Sequence, residues 1–579
     1  MPALKFARRT AAGLLLGALA AFAAGPAQAT PTASAPVAAW LRDGRVESRL
    51  LAGADSANPE IDAGASAMKV PLGSLWKLFS YAWLADRHAS EPDYVCAAPA
   101  KSAEDHYCCD PGGSIGRDAA LARSCAPYFE PPRLGINKAE WRRYWSARGA
   151  PAWLADLDRV RPGTQVELAE LLAALATIPP PARAEARRAL LETGFSGYGS
   201  EAFTALGSGI RYKTYTWHRA SEPGVSYGGA AGWLADGTPF WFGARGSSHS
   251  ALAAWAGRLA ATLPPPRYSL AAATESSCVE VEFFARYKLN AVWPETPAAQ
   301  TEGKIAQVSP GELNGRYRFE FSNGNWLSIR SAGGIFLNKA RDGTPLVSGR
   351  FGINDYVARV IDREGSATHT QAARALAVAA RSYLMQNARL QAGCWAIEDS
   401  SRMQRVSANQ PSDAALAAAW FTDDLVLQGA PVQYHRDQPG ADRLVWRDAV
   451  GQDAEGWEFD RILAAAYPKA VLASLSGSED CSRLDDAEAW LAMAALRWRR
   501  ELQNESGFEP VAGPVTVCAL AEGRPYSDQQ RARIYVRGWR SLDERVTLAH
   551  EYLHIALRFH PSGADEDHVE RLARRLAGG

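Results

Sequence analysis

The sequence has no surplus of charge of either sign. Its 63 Lys and Arg residues equal its 63 Asp and Glu residues, so the formal net charge is zero. Proteins that bind nucleic acid or anionic membranes through long-range attraction usually carry a basic surplus. The composition therefore gives no reason to expect nucleic acid or an anionic membrane as a partner.

Long apolar runs are missing beyond the N-terminus. Residues 11–24 form a Leu- and Ala-rich run that is shorter than the ~20 apolar residues of a membrane span. A basic segment precedes this run, and the A-x-A sequence Ala27-Gln28-Ala29 follows it, as in an export signal. We predict that residues 1–29 are a signal peptide, that no transmembrane segment follows, and that the mature protein is periplasmic or secreted.

No C-x-x-C pair occurs among the 8 cysteines, which argues against a zinc–thiolate cluster. All eight follow the predicted signal peptide, and cysteines in an oxidising compartment usually pair. Cys108 and Cys109 are adjacent and cannot easily bond to each other. We therefore predict at least three longer disulfide connections, whose pairing the sequence leaves open.

Internal repeats are also absent, and two breaks divide the chain. The first follows the proline-rich Leu263–Pro266, near residue 275. The second lies near residue 480, within the polar stretch 474–486. We predict a multidomain mixed α/β (α+β) protein with domains at 30–275, 280–480 and 481–579.

The first region contains the S-x-x-K sequence from Ser74 to Lys77. On a helix, Lys77 lies one turn from Ser74 and could accept its proton. A chain of this length should contain S-x-x-K about once by chance. The alternative is therefore an amphipathic helix with an exposed lysine.

Two later motifs strengthen the functional interpretation. They are Ser124-Cys-Ala126 and Lys213-Thr-Tyr215, and Gly-rich segments that predict hairpin strands follow the second. The order and spacing resemble penicillin-binding proteins and class D β-lactamases. The resemblance implies an acyl nucleophile, its base, a proton relay and a carboxylate-binding cation, in the order Ser74, Lys77, Ser124 and Lys213.

Two positions depart from the pattern of that family. Ala126 replaces the Asn or Val of the second motif, and Tyr215 replaces the Gly of K-T-G. A bulky ring at that strand position should obstruct a substrate that lies against the backbone. We expect a degenerate site in a penicillin-binding-like fold.

The second region contains a helix pattern that ends near Glu364 and another that runs through 371–388. From the residues alone, this predicts a packed helical hairpin. The sequences Asp355-Tyr356-Val357 and Arg374–Tyr383 resemble the SpoIID domain of lytic transglycosylases and amidase enhancers. The resemblance places Glu364 at the catalytic glutamate, where one carboxylic acid could serve as both acid and base.

Departures again limit the inference for this region. Arg363 would lower the pKa of Glu364 if its head group came near, which opposes an acid role. Only Cys394 remains of the metal-binding segment of that family, so we expect no zinc in this region. We favour glycan binding over turnover.

The third region contains H-E-x-x-H, formed by His550, Glu551 and His554. Ser541 and Glu544 predict a capping box at the start of the helix. The two imidazoles project from one face, with Glu551 placed to activate water. The alternative is solvent-facing histidines, but chance gives such a motif only about once in a hundred chains of this composition. The segment resembles zincin metallopeptidases and implies a Zn²⁺ cofactor.

The sequence does not decide which residue is the third metal ligand. His560 has metzincin spacing, but Leu557 stands where that family has a Gly. The following helix resembles the second ligand helix of gluzincins, which favours Glu570. His560, Asp565 and Glu566 remain alternatives.

The whole chain is identified as a member of the secreted YfaQ-like bacterial proteins, which carry a SpoIID-related domain. We predict a periplasmic cell-envelope enzyme that engages peptidoglycan and uses a C-terminal zinc peptidase site on peptidoglycan or an envelope protein. One alternative is a non-enzymatic envelope scaffold or a regulator of a wall hydrolase. The other is a lytic transglycosylase that uses Glu364. The sequence leaves the oligomeric state open.

Overall fold

The structure is a computed structural model. It describes residues 35–51, 67–88, 91–96, 108–109, 113–195, 202–218, 224–267, 278–295, 307–340, 342–391, 393–428, 430–440, 442–475, 483–511, 515–520, 525–528, 532–558 and 560–578. The predicted signal peptide and both predicted domain boundaries lie outside these residues, so they stay predictions. Within the ranges just given, none of the helices combines the length and apolarity that a membrane span requires.

The first region mixes strands and helices. Its strands are β1 (Val37–Arg42), β2 (Arg45–Leu50), β3 (Lys69–Pro71), β4 (Tyr94–Val95), β5 (Ser114–Ile115), β6 (Gln165–Glu167), β7 (Arg211–His218), β8 (Ser226–Trp233) and β9 (Pro239–Arg245). Its helices are α1 (Trp76–Asp86), α2 (Arg117–Arg123), α3 (Ala126–Phe129), α4 (Lys138–Ser146), α5 (Ala152–Ala155), α6 (Leu168–Ala176), α7 (Pro180–Phe195), α8 (Phe203–Leu206) and α9 (Ser248–Thr262). The two predicted hairpin strands are β8 and β9.

A five-stranded antiparallel sheet in the order β2-β1-β9-β8-β7 forms the centre of this region. Side chains alternate across a strand, so each face of the sheet packs against its own set of helices. Tyr212 of β7 belongs to the core beside α9, whereas Tyr215 belongs to the core beside α1. The same alternation places Lys213 on the α1 side, and β7 is an edge strand.

The second region contains a larger sheet and a helical layer. Its strands are β10 (Cys278–Phe283), β11 (Leu289–Pro294), β12 (Gly311–Phe321), β13 (Trp326–Lys339), β14 (Pro345–Gly352), β15 (Arg389–Gln391), β16 (Cys394–Glu398), β17 (Leu425–Gln428), β18 (Gln433–His435), β19 (Arg443–Val445) and β20 (Val471–Ser474). Its helices are α10 (Ile353–Glu364), α11 (Thr370–Asn387), α12 (Asp413–Phe421), α13 (Trp446–Ala454) and α14 (Phe459–Ala466).

Seven of these strands form one sheet in the order β11-β12-β13-β14-β10-β16-β15, parallel only between β10 and β16. Helix α11 is the centre of the helical layer and is buried on almost every side. Its many alanines let neighbouring helices approach closely. Ala373, Leu376 and Ala380 are buried along this helix, as the predicted helical hairpin packing requires.

The third region is small. Its elements are α15 (Asp485–Leu502), β21 (Thr516–Ala519), β22 (Tyr526–Asp528), β23 (Arg533–Val536), α16 (Leu542–Ala556) and α17 (Glu566–Gly578). The strands form a sheet in the order β21-β23-β22, and side chains of all three helices share one core. The prediction of a mixed α/β multidomain protein is confirmed.

Disulfide bonds cross-link residues within each of the first two regions. Cys96 bonds to Cys109 and Cys108 bonds to Cys125, while a third bond joins Cys278 to Cys394. Cys518 is also disulfide-bonded. The prediction that the cysteines pair over longer connections is confirmed.

Candidate functional site

Helix α16 presents the two histidines of H-E-x-x-H. The predicted capping box between Ser541 and Glu544 is present at its start. Val546 and Leu553 lie on the buried stripe that packs the helix against the core. The helix ends at Ala556, and a short turn then leads to α17, which returns beside α16. The histidines of α16 therefore face the first turn of α17.

Three potential ligand atoms converge at this point. His550 Nε2 lies 3.0 Å from His554 Nε2 and 3.2 Å from Glu566 Oε2. Glu566 Oε1 lies 3.7 Å from His554 Nε2. Atoms bound to one tetrahedral zinc at about 2.0–2.1 Å would lie roughly 3.3 Å apart. The spacing of His550, His554 and Glu566 therefore fits a zinc ion.

The other ring nitrogens have partners of their own. His550 Nδ1 lies 3.0 Å from Glu570 Oε2, and His554 Nδ1 lies 2.7 Å from the Gly563 carbonyl oxygen. A carbonyl oxygen can only accept, so His554 Nδ1 carries a proton. Burial lowers the pKa of His554, which favours the neutral ring. In that neutral ring the Nε2 lone pair is directed toward His550 Nε2.

Glu551 is buried beside this cluster, with 7% of its surface exposed. Burial raises the pKa of its carboxyl to about 8, and the charge of Glu566 adds to the increase. The Ser527 side chain of β22 forms a hydrogen bond with Glu551 and opposes that shift. Strand β22 and helix α16 are therefore in contact at the Glu551 carboxyl.

The alternative ligands lie elsewhere. Glu570 contacts His550 on the Nδ1 side and forms an ion pair with Arg574 at 2.7 Å. His560 Nδ1 contacts Ser562 Oγ at 2.8 Å, and Asp565 accepts a bond from the His568 amide. Among the described residues, Glu566 is the carboxylate nearest the paired Nε2 atoms. The assignment of Glu570 as the third ligand stays a prediction, and the geometry favours Glu566.

The S-x-x-K serine and lysine lie at the start of α1. Lys77 Nζ lies 3.3 Å from Ser74 Oγ and 3.1 Å from Ser124 Oγ. It also donates to the Ser124 carbonyl oxygen at 2.7 Å. Ser124 adopts a left-handed conformation, with φ of 66°, between α2 and α3. The structure thus brings the predicted nucleophile, base and relay together.

Lys213 and Tyr215 lie behind this group on β7. Lys213 is completely buried, and burial together with the nearby Lys77 charge holds its pKa well below the usual range. Tyr215 is 3% exposed and packs against Gly73. A Cβ atom placed on Gly73 would lie 3.1 Å from Tyr215 Cβ. The tyrosine ring therefore occupies the space beside the turn that carries Ser74.

Glu364 is the last residue of α10. It accepts a hydrogen bond from the Arg405 amide at 3.0 Å. Burial raises the pKa of Glu364, while that bond and the charges of Arg405 and Arg363 oppose the increase. Arg363 thus acts in the direction expected from the sequence, but burial has the larger effect.

Several polar residues around Glu364 were not singled out from the sequence. Gln404 Nε2 donates to Tyr434 Oη at 2.8 Å, and Asp399 accepts from the Val406 amide at 2.9 Å. The charge of Asp399 raises the pKa of Glu364 further. No short motif of the sequence marks these individual positions. Cys394 offers no thiolate, because it is bonded to Cys278.

Comparisons with solved structures cover about two fifths of the chain. The L2 complex with relebactam is 14% identical, covers 39% of this chain and 90% of its own, and has a TM-score of 0.25. The C-terminal domain of the Bacillus licheniformis BlaR penicillin-receptor is 13% identical, with coverages of 39% and 87% and a TM-score of 0.26. A class D β-lactamase from Sebaldella termitidis is 9% identical, with coverages of 39% and 88% and a TM-score of 0.26. Such TM-scores are too low to establish a shared fold.

Sequence comparisons extend over most of the chain. Residues 100–224 and 442–562 match the family described as "Predicted secreted protein (DUF2300)". A relative from Escherichia coli (strain K12), "Uncharacterized protein YfaQ", is 41% identical over 519 residues, or 89% of this chain and 91% of the relative. The family description and the disulfides agree with the predicted periplasmic or secreted location. The chain therefore belongs to the DUF2300 family of predicted secreted proteins, together with YfaQ.

Proposed function

We propose that the third region is the zinc-dependent, peptidase-like centre of a periplasmic cell-envelope protein. The observation that supports it is the convergence of the Nε2 atoms of His550 and His554 and the Glu566 carboxylate, which all lie within 4.8 Å of one another. A zinc cation among them would be bound by two imidazole nitrogens and one carboxylate oxygen, a common ligand set. His550, His554 and Glu566 would hold that cation.

The donor set suits a catalytic zinc site. Two histidines and one carboxylate leave a fourth position open, in contrast to the closed sites of structural zinc. When bound, zinc supplies Lewis-acid chemistry, which polarises a carbonyl and makes water more acidic. Glu570 would orient the His550 ring through Nδ1, the usual role of an outer carboxylate.

Glu551 would accept the proton that water loses in the reaction. Its carboxyl lies beside the histidine pair and forms a hydrogen bond with Ser527 of β22. Within the described part of the third region, β22 pairs with β23 alone. An extended peptide could pair along the other side of β22, which would place it beside Glu551. The proposed substrate is therefore a peptide chain, from peptidoglycan or from an envelope protein.

The test uses the purified mature protein and a mixture of cell-wall peptides and unfolded envelope proteins. We expect Glu551→Gln to bind zinc as the wild type does and to hydrolyse peptides about 10²–10⁴-fold more slowly, since a general base contributes that much. Glu509→Gln, an exposed change in the same region, is the matched control and should leave the rate unchanged. Equal hydrolysis by wild type and Glu551→Gln would contradict the proposal.

A second candidate function is favoured by the raised pKa of Glu364. Burial raises the pKa of the Glu364 carboxyl, which favours the protonated form that must protonate a glycosidic oxygen in a SpoIID-like lytic transglycosylase. Anhydro-sugar products from purified sacculi, lost in Glu364→Gln, would support this function. Absence of hydrolysis at both centres would leave a non-enzymatic scaffold or a regulator of another wall hydrolase.

A further inference from the structure

One sheet face in the second region combines tryptophan and arginine side chains. Strands β11, β12 and β13 form one end of the seven-stranded sheet. Directly paired residues on neighbouring strands project to the same side. We use the term Trp–Arg face for the set Trp293, Arg316, Arg318, Trp326 and Arg330. The alternate residues Phe319 and Ile329 are buried in the core, so the Trp–Arg face is directed to solvent.

Arg316 and Arg330 lie directly opposite each other on β12 and β13. The Arg330 amide donates to Asn409 Oδ1 at 2.8 Å, and its carbonyl oxygen accepts from the Gln410 amide at 2.9 Å. The Arg316 carbonyl oxygen accepts from the Glu295 amide at 2.8 Å, on the other side of β12. These backbone groups of Arg316 and Arg330 point away from each other's strand. The two residues therefore form a non-hydrogen-bonded pair. In such pairs the side chains are closest, with Cα atoms about 4.5 Å apart.

Two like charges in that position destabilise a sheet. No carboxylate among the described residues forms an ion pair with Arg316 or Arg330. Glu295 and Glu320 also lie on this side of the sheet but bond to neutral groups: Glu295 accepts from Ser328 Oγ at 2.6 Å, and Glu320 accepts from Trp293 Nε1 at 3.1 Å. An external anion between the two guanidinium groups would remove the repulsion.

Trp326 adds an aromatic surface to this charge. Its side chain is 57% exposed, which is unusual for so large an apolar group. The Arg318 guanidinium lies 4.8 Å from the ring centroid and holds the ring beside the charged pair. A flat apolar ring next to free guanidinium groups suits a sugar ring that carries carboxylates.

The Trp–Arg face is connected to Glu364 through one loop. Asn409 and Gln410, which border Arg330, follow Arg405 in this loop, and the Arg405 amide donates to Glu364. Arg359 fixes the loop further, because its Nη1 donates to the Asn409 carbonyl oxygen at 2.7 Å. A ligand on the face would therefore lie against the segment that also contacts Glu364.

We propose that the Trp–Arg face binds an acidic glycan strand, with a sugar ring on Trp326 and carboxylates between Arg316 and Arg330. This inference deepens the second candidate function, a transglycosylase reaction at Glu364 on a glycan strand, and rests on it. It is independent of the zinc site. Because the protein has no net charge, attraction to the glycan is local and should weaken with added salt.

The experiment is co-sedimentation of the purified mature protein with peptidoglycan sacculi at low and high salt. We expect the double variant Arg316→Ala/Arg330→Ala and the single variant Trp326→Ala each to bind about tenfold more weakly at low salt. Leu327→Ala, an exposed neighbour on the other side of β13, and Arg436→Ala, an exposed arginine elsewhere, should bind as the wild type does.

A thermal melt separates binding from folding. Removal of Arg330 alone should leave the Tm unchanged or slightly higher, since it relieves like-charge repulsion. No sedimentation of the wild type, unchanged binding by the double variant, or an equal loss in Arg436→Ala would overturn the inference. Glu364→Gln should still sediment, so loss of anhydro-sugar products with retained binding would concern the reaction alone.

Discussion

The Ser74 site and the His550 site both begin with a short motif on one helix, but their polar atoms are satisfied differently. In the first, Lys77 donates to Ser74 and Ser124, and the ring of Tyr215 fills the adjacent space. In the second, the Nε2 atoms of both histidines and the Glu566 carboxylate converge. The first cluster contains a hydrogen-bonding cation of its own in Lys77, whereas we propose that the second is completed by zinc.

This difference shows what a motif can and cannot establish. Spacing on a helix places side chains on one face, and both motifs do so. Whether the site is open depends on groups that arrive from distant parts of the chain. Tyr215 of β7 packs beside the turn that carries Ser74, and Glu566 of α17 lies beside the paired histidines.

The largest expected effect distinguishes the two carboxylates of α17. Glu566→Gln should weaken zinc binding by more than 10²-fold, because it removes a proposed ligand. Glu570→Gln should weaken it only about 10–100-fold, because it removes an outer partner of His550. Competition with a chelator of known zinc affinity measures both. The reverse order of effects would restore Glu570 as the third ligand.

The next prediction concerns access to Ser74 beside Tyr215. Wild-type protein should show little or no covalent labelling by a fluorescent penicillin, because Tyr215 obstructs the approach to Ser74. Tyr215→Gly should increase the labelling, at a cost of about 3–5 kcal/mol in stability for the lost ring. Labelling is measured on a gel at low temperature, with the folded state checked by circular dichroism.

The control for this prediction is the double variant Ser74→Ala/Tyr215→Gly, which should not label. Strong labelling of the wild type would show that the tyrosine ring is no obstacle. A folded Tyr215→Gly variant without labelling would show that the site is inactive for another reason.

The smallest expected effect concerns the pH dependence of stability at Glu364. Burial raises its pKa in the folded state, so the folded protein binds the proton more tightly than the unfolded chain. That contribution is fully present below the unfolded pKa and is lost as pH rises through the folded pKa. Glu364→Gln should therefore raise the Tm by about 2 °C at pH 8 and leave it unchanged at pH 4. An equal shift at both pH values would exclude ionisation as its cause.

Local patterns predicted much of the third region. The capping box and the buried stripe fix the start and rotation of α16, and the helix ends before His560, as the following Pro561 indicates. The third ligand was less accessible to sequence reasoning. Glu566 and Glu570 lie one turn apart on α17, and the angle at which α17 crosses α16 decides which one faces the Nε2 atoms.

The pairing of strands was also difficult to predict from the sequence. The opposition of Arg316 and Arg330 depends on the register of the β12–β13 pair, which was not predicted from the sequence. Strand β22, whose Ser527 contacts Glu551, is too short to predict from periodicity. The obstruction of substrate by Tyr215 stays a prediction, and it depends on the glycine that the resemblance leads us to expect at this position.

The central claim is that His550, His554 and Glu566 hold a zinc ion. The direct measurement is the metal content of the purified mature protein by mass spectrometry, for the wild type and for His550→Ala/His554→Ala. The account predicts about one zinc per wild-type chain and none in the variant. No zinc in the wild type, or the same content in both proteins, would contradict it.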